Sequence, residues 1–291
     1  MTKDEAQSRA SRDRWTFYEA GMVGEEDMAI NTWQKSPGCW RGLCLALAFL
    51  VSVVGCAADQ AERKKNAERM MNEGSLALRA GDSNLAMDLL LKAEKEDPAN
   101  PRIHYNLGIA YLGKDVLEKA EYQFKEAIRL KSDYSEAYNY LGRIYLYRGQ
   151  TEAAIQCFQK ALDNVLYNNP EKAYYNLGEA YMIKKDYARA AEQLERAIRV
   201  VPDFAPAYAL LGQAYEGLTK NADAKRSYRS ALQYGGNYGP DFQAQTQLNL
   251  GKLLARTGER AEARKSLAEV MKLAPNSREA AEAQVVLNSM K

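Results

Sequence analysis

The chain has 291 residues, 46% of them hydrophobic and 27% charged, with 40 Lys and Arg against 38 Asp and Glu. That much apolar material excludes a disordered tail, and a net charge of +2 excludes a polybasic nucleic-acid binder. A single histidine and four cysteines leave no residues for a His-based metal site or a dense disulfide framework.

In chain order, a charged tract from Thr2 to Asp27 comes first, then Lys35 and Arg41, then the apolar run Gly42 to Val54 (GLCLALAFLVSVV). This is the layout of a signal peptide. The run has 13 residues, whereas a helix that stays in the hydrocarbon needs about 20, so a cleaved leader is expected rather than an anchor helix. The run closes on Val53, Val54, Gly55 and Cys56. That tetrapeptide resembles the bacterial lipobox. The resemblance implies cleavage before Cys56, diacylglycerol on its sulfur and acylation of the new amino terminus; an uncleaved or ordinary secretory signal is the alternative. Several acyl chains, at about 0.8 kcal/mol per buried CH₂, anchor a protein stably without a spanning segment. The tract 1–27 is long and charged for a leader, and a start at Met28 gives one of ordinary length. Residues 1–55 are read as tract and leader, and residues 56–66 as lipidated cysteine and polar linker.

The rest of the chain repeats itself. In frames opening at Ala67, Pro101, Ser135, Glu171, Ala205 and Ala244, the eighth place is always glycine: Gly74, Gly108, Gly142, Gly178, Gly212 and Gly251. The twentieth place is always alanine: Ala86, Ala120, Ala154, Ala190, Ala224 and Ala263. The twenty-seventh reads Ala93, Ala127, Ala161, Ala197, Ala231 and Val270, and the twenty-fourth is large throughout (Leu90, Phe124, Phe158, Leu194, Tyr228, Leu267). Small and large residues at fixed spacing are what two closely crossing helices require. The blocks NLGIAY, YLGRIY, NLGEAY and LLGQAY end in Tyr111, Tyr145, Tyr181 and Tyr215, and Pro98, Pro202 and Pro275 close the second helix of their repeats.

This pattern resembles the tetratricopeptide repeat, a helix pair of about 34 residues. The resemblance implies an all-α fold: a right-handed α-solenoid of six tetratricopeptide repeats over residues 67–277, plus a C-terminal capping helix over 278–291. In that helix Ala281, Val285, Val286 and Leu287 are expected to face the last pair. One pair cannot bury its own apolar face, so stacked pairs share a continuous core and form one domain. Two insertions break the register. VLYNNP (165–170) adds two residues to repeat three, and YGGNYGPDFQ (234–243) adds five between repeats five and six. Both are expected as edge loops, the second as a turn because of its Gly-Gly and Gly-Pro pairs.

No catalytic constellation is found. His104 takes the fourth place of repeat two, where Met70, Tyr138, Tyr174 and Tyr208 stand in other repeats, and reads as a packed core histidine. There is no glycine-rich phosphate loop between a strand and a helix. Cys39 and Cys44 fall in the leader and Cys56 at the lipid site, so the lone Cys157 has no internal disulfide partner. Neither an enzyme nor a metal or cofactor is expected, nor is a small-molecule or nucleic-acid ligand.

What remains is protein binding. In the tetratricopeptide family, places 2, 5, 6, 9, 12 and 13 of the first helices line the concave face. Here they include Tyr105, Asn106 and Ile109 in repeat two, Asn139, Tyr140, Arg143 and Tyr147 in repeat three, and Tyr175, Asn176, Glu179 and Met182 in repeat four. An aromatic and aliphatic groove with a few amides suits an extended peptide or an amphipathic helix; the alternative is that several of these side chains pack between repeats. Lys172 and Asn176 match the start of the family's carboxylate clamp, but Leu210 replaces its next asparagine, and Arg102 and Asn106 meet Tyr140. The clamp is incomplete.

Six repeats behind a lipobox, a long third repeat carrying Leu166, Tyr167 and Pro170 before Leu177 and Gly178, and a glycine-rich break after repeat five resemble the type IV pilus pilotin lipoproteins (PilF, PilW and Tgl). The resemblance implies a lipoprotein of the bacterial outer membrane, facing the periplasm, that binds secretin subunits and helps them assemble. Ala57, where an inner-membrane retention signal has aspartate, agrees with outer-membrane sorting. The alternative is a general envelope adaptor for cell-wall enzymes or exopolysaccharide export.

Overall fold

The computed structural model describes the backbone of residues 37–290 and the side chains of residues 57–290. The tract before residue 37, the expected start at Met28 and the Cys56 side chain lie outside the described residues. The chain divides into two units, residues 1–63 and residues 64–291. In the first, residues 37–63 are helical, within α1 (Pro37–Arg79). Residues 57–65, read from sequence as part of a linker, are helical and exposed on every side. Among the described residues no helix is long and apolar enough to cross a membrane.

The second unit continues from α1 into α2 (Ser83–Glu96), α3 (Pro101–Leu112), α4 (Leu117–Leu130), α5 (Ser135–Tyr147), α6 (Thr151–Leu162), α7 (Pro170–Ile183) and α8 (Tyr187–Val200). Then follow α9 (Ala205–Gly217), α10 (Asn221–Tyr234), a 3₁₀ turn (Gly235–Tyr238), α11 (Gly239–Arg256), α12 (Arg260–Leu273) and α13 (Arg278–Ser289). No strand occurs among the described residues. These are the helix pairs of six tetratricopeptide repeats. In repeats two to six, each first helix packs on its own second helix, and that helix packs on the first helix of the next unit.

The side chains explain this packing. A Cβ placed on any of the eighth-place glycines would come within 2.5 to 2.9 Å of the large twenty-fourth residue facing it: Leu90, Phe124, Phe158, Leu194, Tyr228 or Leu267. The alanines at places twenty and twenty-seven are fully buried, as is Val270. Core clusters then run from one repeat into the next. Phe158 of α6, Leu177 of α7, Leu194 of α8 and Leu211 of α9 share one cluster.

Helix ends follow local chemistry. Asp82 and Asp186 cap α2 and α8 by accepting from the N–H groups of Leu85 and Arg189, Asn100 and Ser277 cap α3 and α13, and Pro101 and Pro170 open α3 and α7. The helices α2, α8 and α12 stop at Glu96, Val200 and Leu273, just ahead of Pro98, Pro202 and Pro275. Within each repeat the turn between the two helices puts place fifteen in the left-handed region. Glycine fills it at Gly81, Gly149 and Gly258, but Asp115, Lys185 and Thr219 adopt it at φ 57°, 59° and 57°.

Two details differ from the sequence expectation. The capping helix forms, but its buried stripe is Ala280, Ala283 and Met290 with Val286 and Leu287 alongside, while Ala281 is exposed and Val285 is 68% exposed. The i, i+3, i+7, i+10 spacing from Ala280 sets the face, and Arg264 fixes the end by donating to the Met290 carbonyl at 2.9 Å. The insertion at 234–243 is mostly helix. Only the four-residue 3₁₀ turn separates α10 from α11, Gly239 at φ +82° turns the chain, and the remainder lengthens α11 to 18 residues. The insertion in repeat three is a loop as expected, and its path is pinned. Asn164 donates to the Asp133 carbonyl at 3.1 Å and accepts from the Leu166 N–H at 2.9 Å. Val165 and Leu166 are turned outward and Tyr167 inward, 8% exposed.

Phe158→Ala is expected to cost about 3–5 kcal/mol through the cavity it leaves, and Gly142→Ala about 1–3 kcal/mol through overpacking. The double variant should cost clearly less than their sum, because the shortened side chain vacates the space the new methyl enters; denaturant midpoints of the four proteins measure this. Thr219→Gly should raise stability by about 0.5–1 kcal/mol, since a β-branched residue at positive φ is strained more than glycine loses in entropy; an unchanged or lower midpoint would count against strain at place fifteen.

Candidate functional site

The first helices of repeats three, four and five touch one another directly, α5 on α7 and α7 on α9. Between them lies an open cavity of about 260 Å³. It brings together Tyr105, Asn139, Tyr140, Arg143, Tyr175, Asn176 and Glu179. The other groove residues read from sequence are not in it. Asn106 is buried, Ile109 and Met182 pack against neighbouring core clusters, and Tyr147 stands 77% exposed. Additional lining comes from Glu136 and Lys172 at second places, and from Tyr167, Asn169 and Phe204 in or beside the loops that join repeats. Tyr167 and Phe204 are the aromatic lining residues sequence reasoning missed, with Glu136 and Asn169 beside them. The signal was an aromatic at place 33 or 34, where Tyr134 also stands.

The walls are aromatic. On one side Tyr105 meets Tyr134 and Tyr140 at ring-centroid distances of 5.1 and 5.8 Å, and Tyr140 stacks on Phe124 at 5.4 Å and 10°. On the other side Tyr175 meets Phe204 at 5.5 Å. Such ring pairs each add about 0.5–1.5 kcal/mol beyond area burial, so the walls are stiff. On the floor, Asn176 Nδ2 donates to Asn139 Oδ1 at 2.8 Å, a buried bond that joins repeats three and four.

Burial sets the electrostatics. It pushes the Tyr175 phenol up to about 12 and raises those of Tyr105, Tyr134 and Tyr167 further, so all are neutral donors at ordinary pH. Burial also raises the Glu179 carboxyl, with Arg143 acting in the opposite direction. Arg143 lies over the Tyr140 ring at 5.7 Å, and Glu179 is in neither a hydrogen bond nor an ion pair among the described residues.

Two other hollows differ in this respect. One of about 560 Å³, shallow and open, is lined by Glu121, Lys125, Tyr145 and Arg148, but Glu121 is already paired with both Lys125 and Arg148, which hold its carboxyl below the usual range. The other, about 270 Å³, lies on repeats five and six; there Arg256 and Tyr228 meet Glu216, Lys252 pairs with Glu282 at 2.6 Å, and Gln245 donates to Asn249 at 3.2 Å. Of these three hollows among the described residues, the middle groove is the one that leaves a half-buried carboxylate, Glu179, without an ion pair.

His104 is buried, with Nδ1 2.6 Å from Gln123 Oε1 and Nε2 2.8 Å from the Pro98 carbonyl. That is the packed role read from sequence. Cys157 is buried, and burial pushes its thiol up to about 11. Among the described residues no group of His, Cys, Asp and Glu is placed to hold a metal ion.

The tetratricopeptide repeat profile matches residues 71–135, 139–209 and 209–278. The chain belongs to the tetratricopeptide repeat family. Among solved structures, the fold of this tetratricopeptide protein is similar to PilF of Pseudomonas aeruginosa, at 21% identity over 77% of this chain and 99% of that one, with a TM-score of 0.69. It is likewise similar to PilW, described as a widely conserved type IV pilus biogenesis factor, at 23% identity over 76% of this chain and 98% of that one, with a TM-score of 0.68. Both likenesses concern the fold. Among curated proteins, the BBSome complex member BBS4 of Bos taurus is 25% identical over 224 residues, 65% of this chain and 42% of that protein. The chain thus spans about two fifths of that relative's length.

A carboxyl raised by folding binds protons more tightly in the folded state, so it lowers stability as pH rises from the unfolded glutamate value through the folded one. Once the pH has risen past the folded-state value that penalty is fully present, and Glu179→Gln removes it. The variant should therefore have a higher denaturation midpoint than the parent at pH 7, with the gap closing below about pH 4, where both side chains are neutral in both states. Equal midpoints across the pH range would show that Glu179 is not desolvated in the folded protein.

Proposed function

We propose that this tetratricopeptide protein is a non-catalytic scaffold of the bacterial envelope, lipid-anchored through Cys56 to the outer membrane and facing the periplasm. Its groove holds a segment of a secretin subunit, as a pilotin does in type IV pilus biogenesis. The observation that carries the reading is the middle groove: stiff tyrosine walls, a fixed amide floor and unpaired charges, on the face where first helices meet. Such a surface offers large contact area at low entropy cost and no chemistry. The likeness to PilF and PilW over nearly their whole length supports the biological setting, and the lipobox resemblance of residues 53–56 supports the anchor. Tethering would raise the local concentration of the groove at the membrane and favour assembly without a chemical step.

The test is the fraction of secretin that runs as assembled multimer in membranes from cells with the gene, without it, and with Cys56→Ala. Loss of multimer with monomer still present is expected in the deletion, and a similar defect in Cys56→Ala places the lipid in the mechanism. Unchanged multimers in all three strains would remove the pilotin reading and leave the envelope-adaptor role to be tried against cell-wall and exopolysaccharide machinery.

A further inference from the structure

The groove has four charged side chains, and they differ in burial. Arg143 and Lys172 are exposed, so water already solvates them. A guest carboxylate meeting either one gains the small energy of a surface pair, at most about 1 kcal/mol. Glu179 is different. It is half-buried, one helical turn from Tyr175 on α7, whose ring packs on Phe204, and it has no hydrogen bond and no ion pair within 4.0 Å among the described residues. Arg143 acts on it electrostatically without forming an ion pair, and its guanidinium lies over the Tyr140 ring. Glu136, also part of the lining, has no ion pair among the described residues either. A desolvated carboxylate beside aromatic rings gains most from a cation brought by the guest. The new pair is screened less than a surface pair, and the rings add cation–π attraction.

We propose that the groove selects a partner segment with a basic side chain, Lys or Arg, set among apolar residues, and that this cation seats on Glu179 beside Tyr175 and Phe204. The inference rests on the groove being the binding face and adds the chemistry of what it takes. The segment's apolar neighbours lie on the tyrosine walls, and its charge supplies the partner that Glu179 lacks. A purely apolar helix would leave Glu179 buried deeper and still unpaired, which costs binding energy.

The experiment pans a phage-displayed library of random dodecapeptides on the full chain in detergent, then measures synthetic peptides from the enriched set by fluorescence anisotropy. Enriched sequences should share a Lys or Arg flanked by aromatic or aliphatic residues. Replacing that residue by Gln, or Glu179 by Gln, should each weaken binding about tenfold or more. The two changes together should weaken it no further than either alone, and Glu179→Lys should accept the peptide whose basic residue is changed to Glu. Enriched peptides that are acidic, that depend on Arg143 or Lys172 while ignoring Glu179→Gln, or whose two losses add independently would overturn the inference and leave the groove as the binding face. Binding that is indifferent to Tyr140→Ala and Tyr175→Ala, or no enrichment at all, would overturn the groove reading and this inference with it.

Discussion

Everything in this protein depends on how closely two helices cross within each repeat. A glycine at the eighth place lets the first helix come down on a large side chain at the twenty-fourth, and no room is left for even one more carbon atom. That contact sets the angle and distance of every pair, and the buried alanines on either side keep the approach open. Because each pair is set in the same way, its outer surface fits the next pair, and successive core clusters are joined through the tyrosines they share, Tyr111, Tyr145 and Tyr215.

The same constraint decides where binding can occur. Second helices are held on both sides, by their own first helix and by the next repeat's. In the middle repeats the first helices also meet one another, α5 against α7 and α7 against α9, and side chains of α5 and α7 share a hollow that Phe204, just ahead of α9, helps to line. The Asn139–Asn176 bond crosses this line from one repeat to the next, so the floor is a joint product of two repeats and belongs to neither alone. The charge pattern then separates the hollows. Where acid and base already meet, as around Glu121 or Glu216, the charges are satisfied within the fold; Glu179, with neither a hydrogen bond nor an ion pair among the described residues, is kept half-buried at some expense in stability.

Much of this is legible in the sequence, because periodicity is a property of helices. The repeat frame, the glycine and its facing residue, the proline stops and the buried role of His104 all follow from spacing, and so do the hollow's lining residues at places 5, 6 and 9 of α5 and α7, whereas Tyr147 and Met182 on the same helices lie outside it. What escaped has a physical reason in each case. Tyr167 and Phe204 reach the hollow from irregular backbone, where no helical period applies. The capping helix was turned by about one residue because its buried stripe begins with Ala280 and Ala283, which weigh little against Val285 in a hydrophobic count. The left-handed turn at place fifteen was hidden because only Gly81, Gly149 and Gly258 announce it, while Asp115, Lys185 and Thr219 adopt the same φ. Asn106 and Ile109 occupy groove places by number, yet neither is brought into the hollow; Ile109 packs with the core of repeats two and three.

The loop that carries Tyr167 bears on how such a protein diversifies. Side chains on α5 and α7 serve the core and the groove from the same helix, so a change there is weighed on both counts. Residues 165–169 lie outside the helix crossings, while Asn164 keeps the segment's path. Asn169, which lines the hollow and makes no side-chain cap bond to α7, can be changed to alter what the hollow presents while the stacking stays the same, whereas Tyr167 packs on Ala161 and Ala173 and a change there is again weighed on both counts.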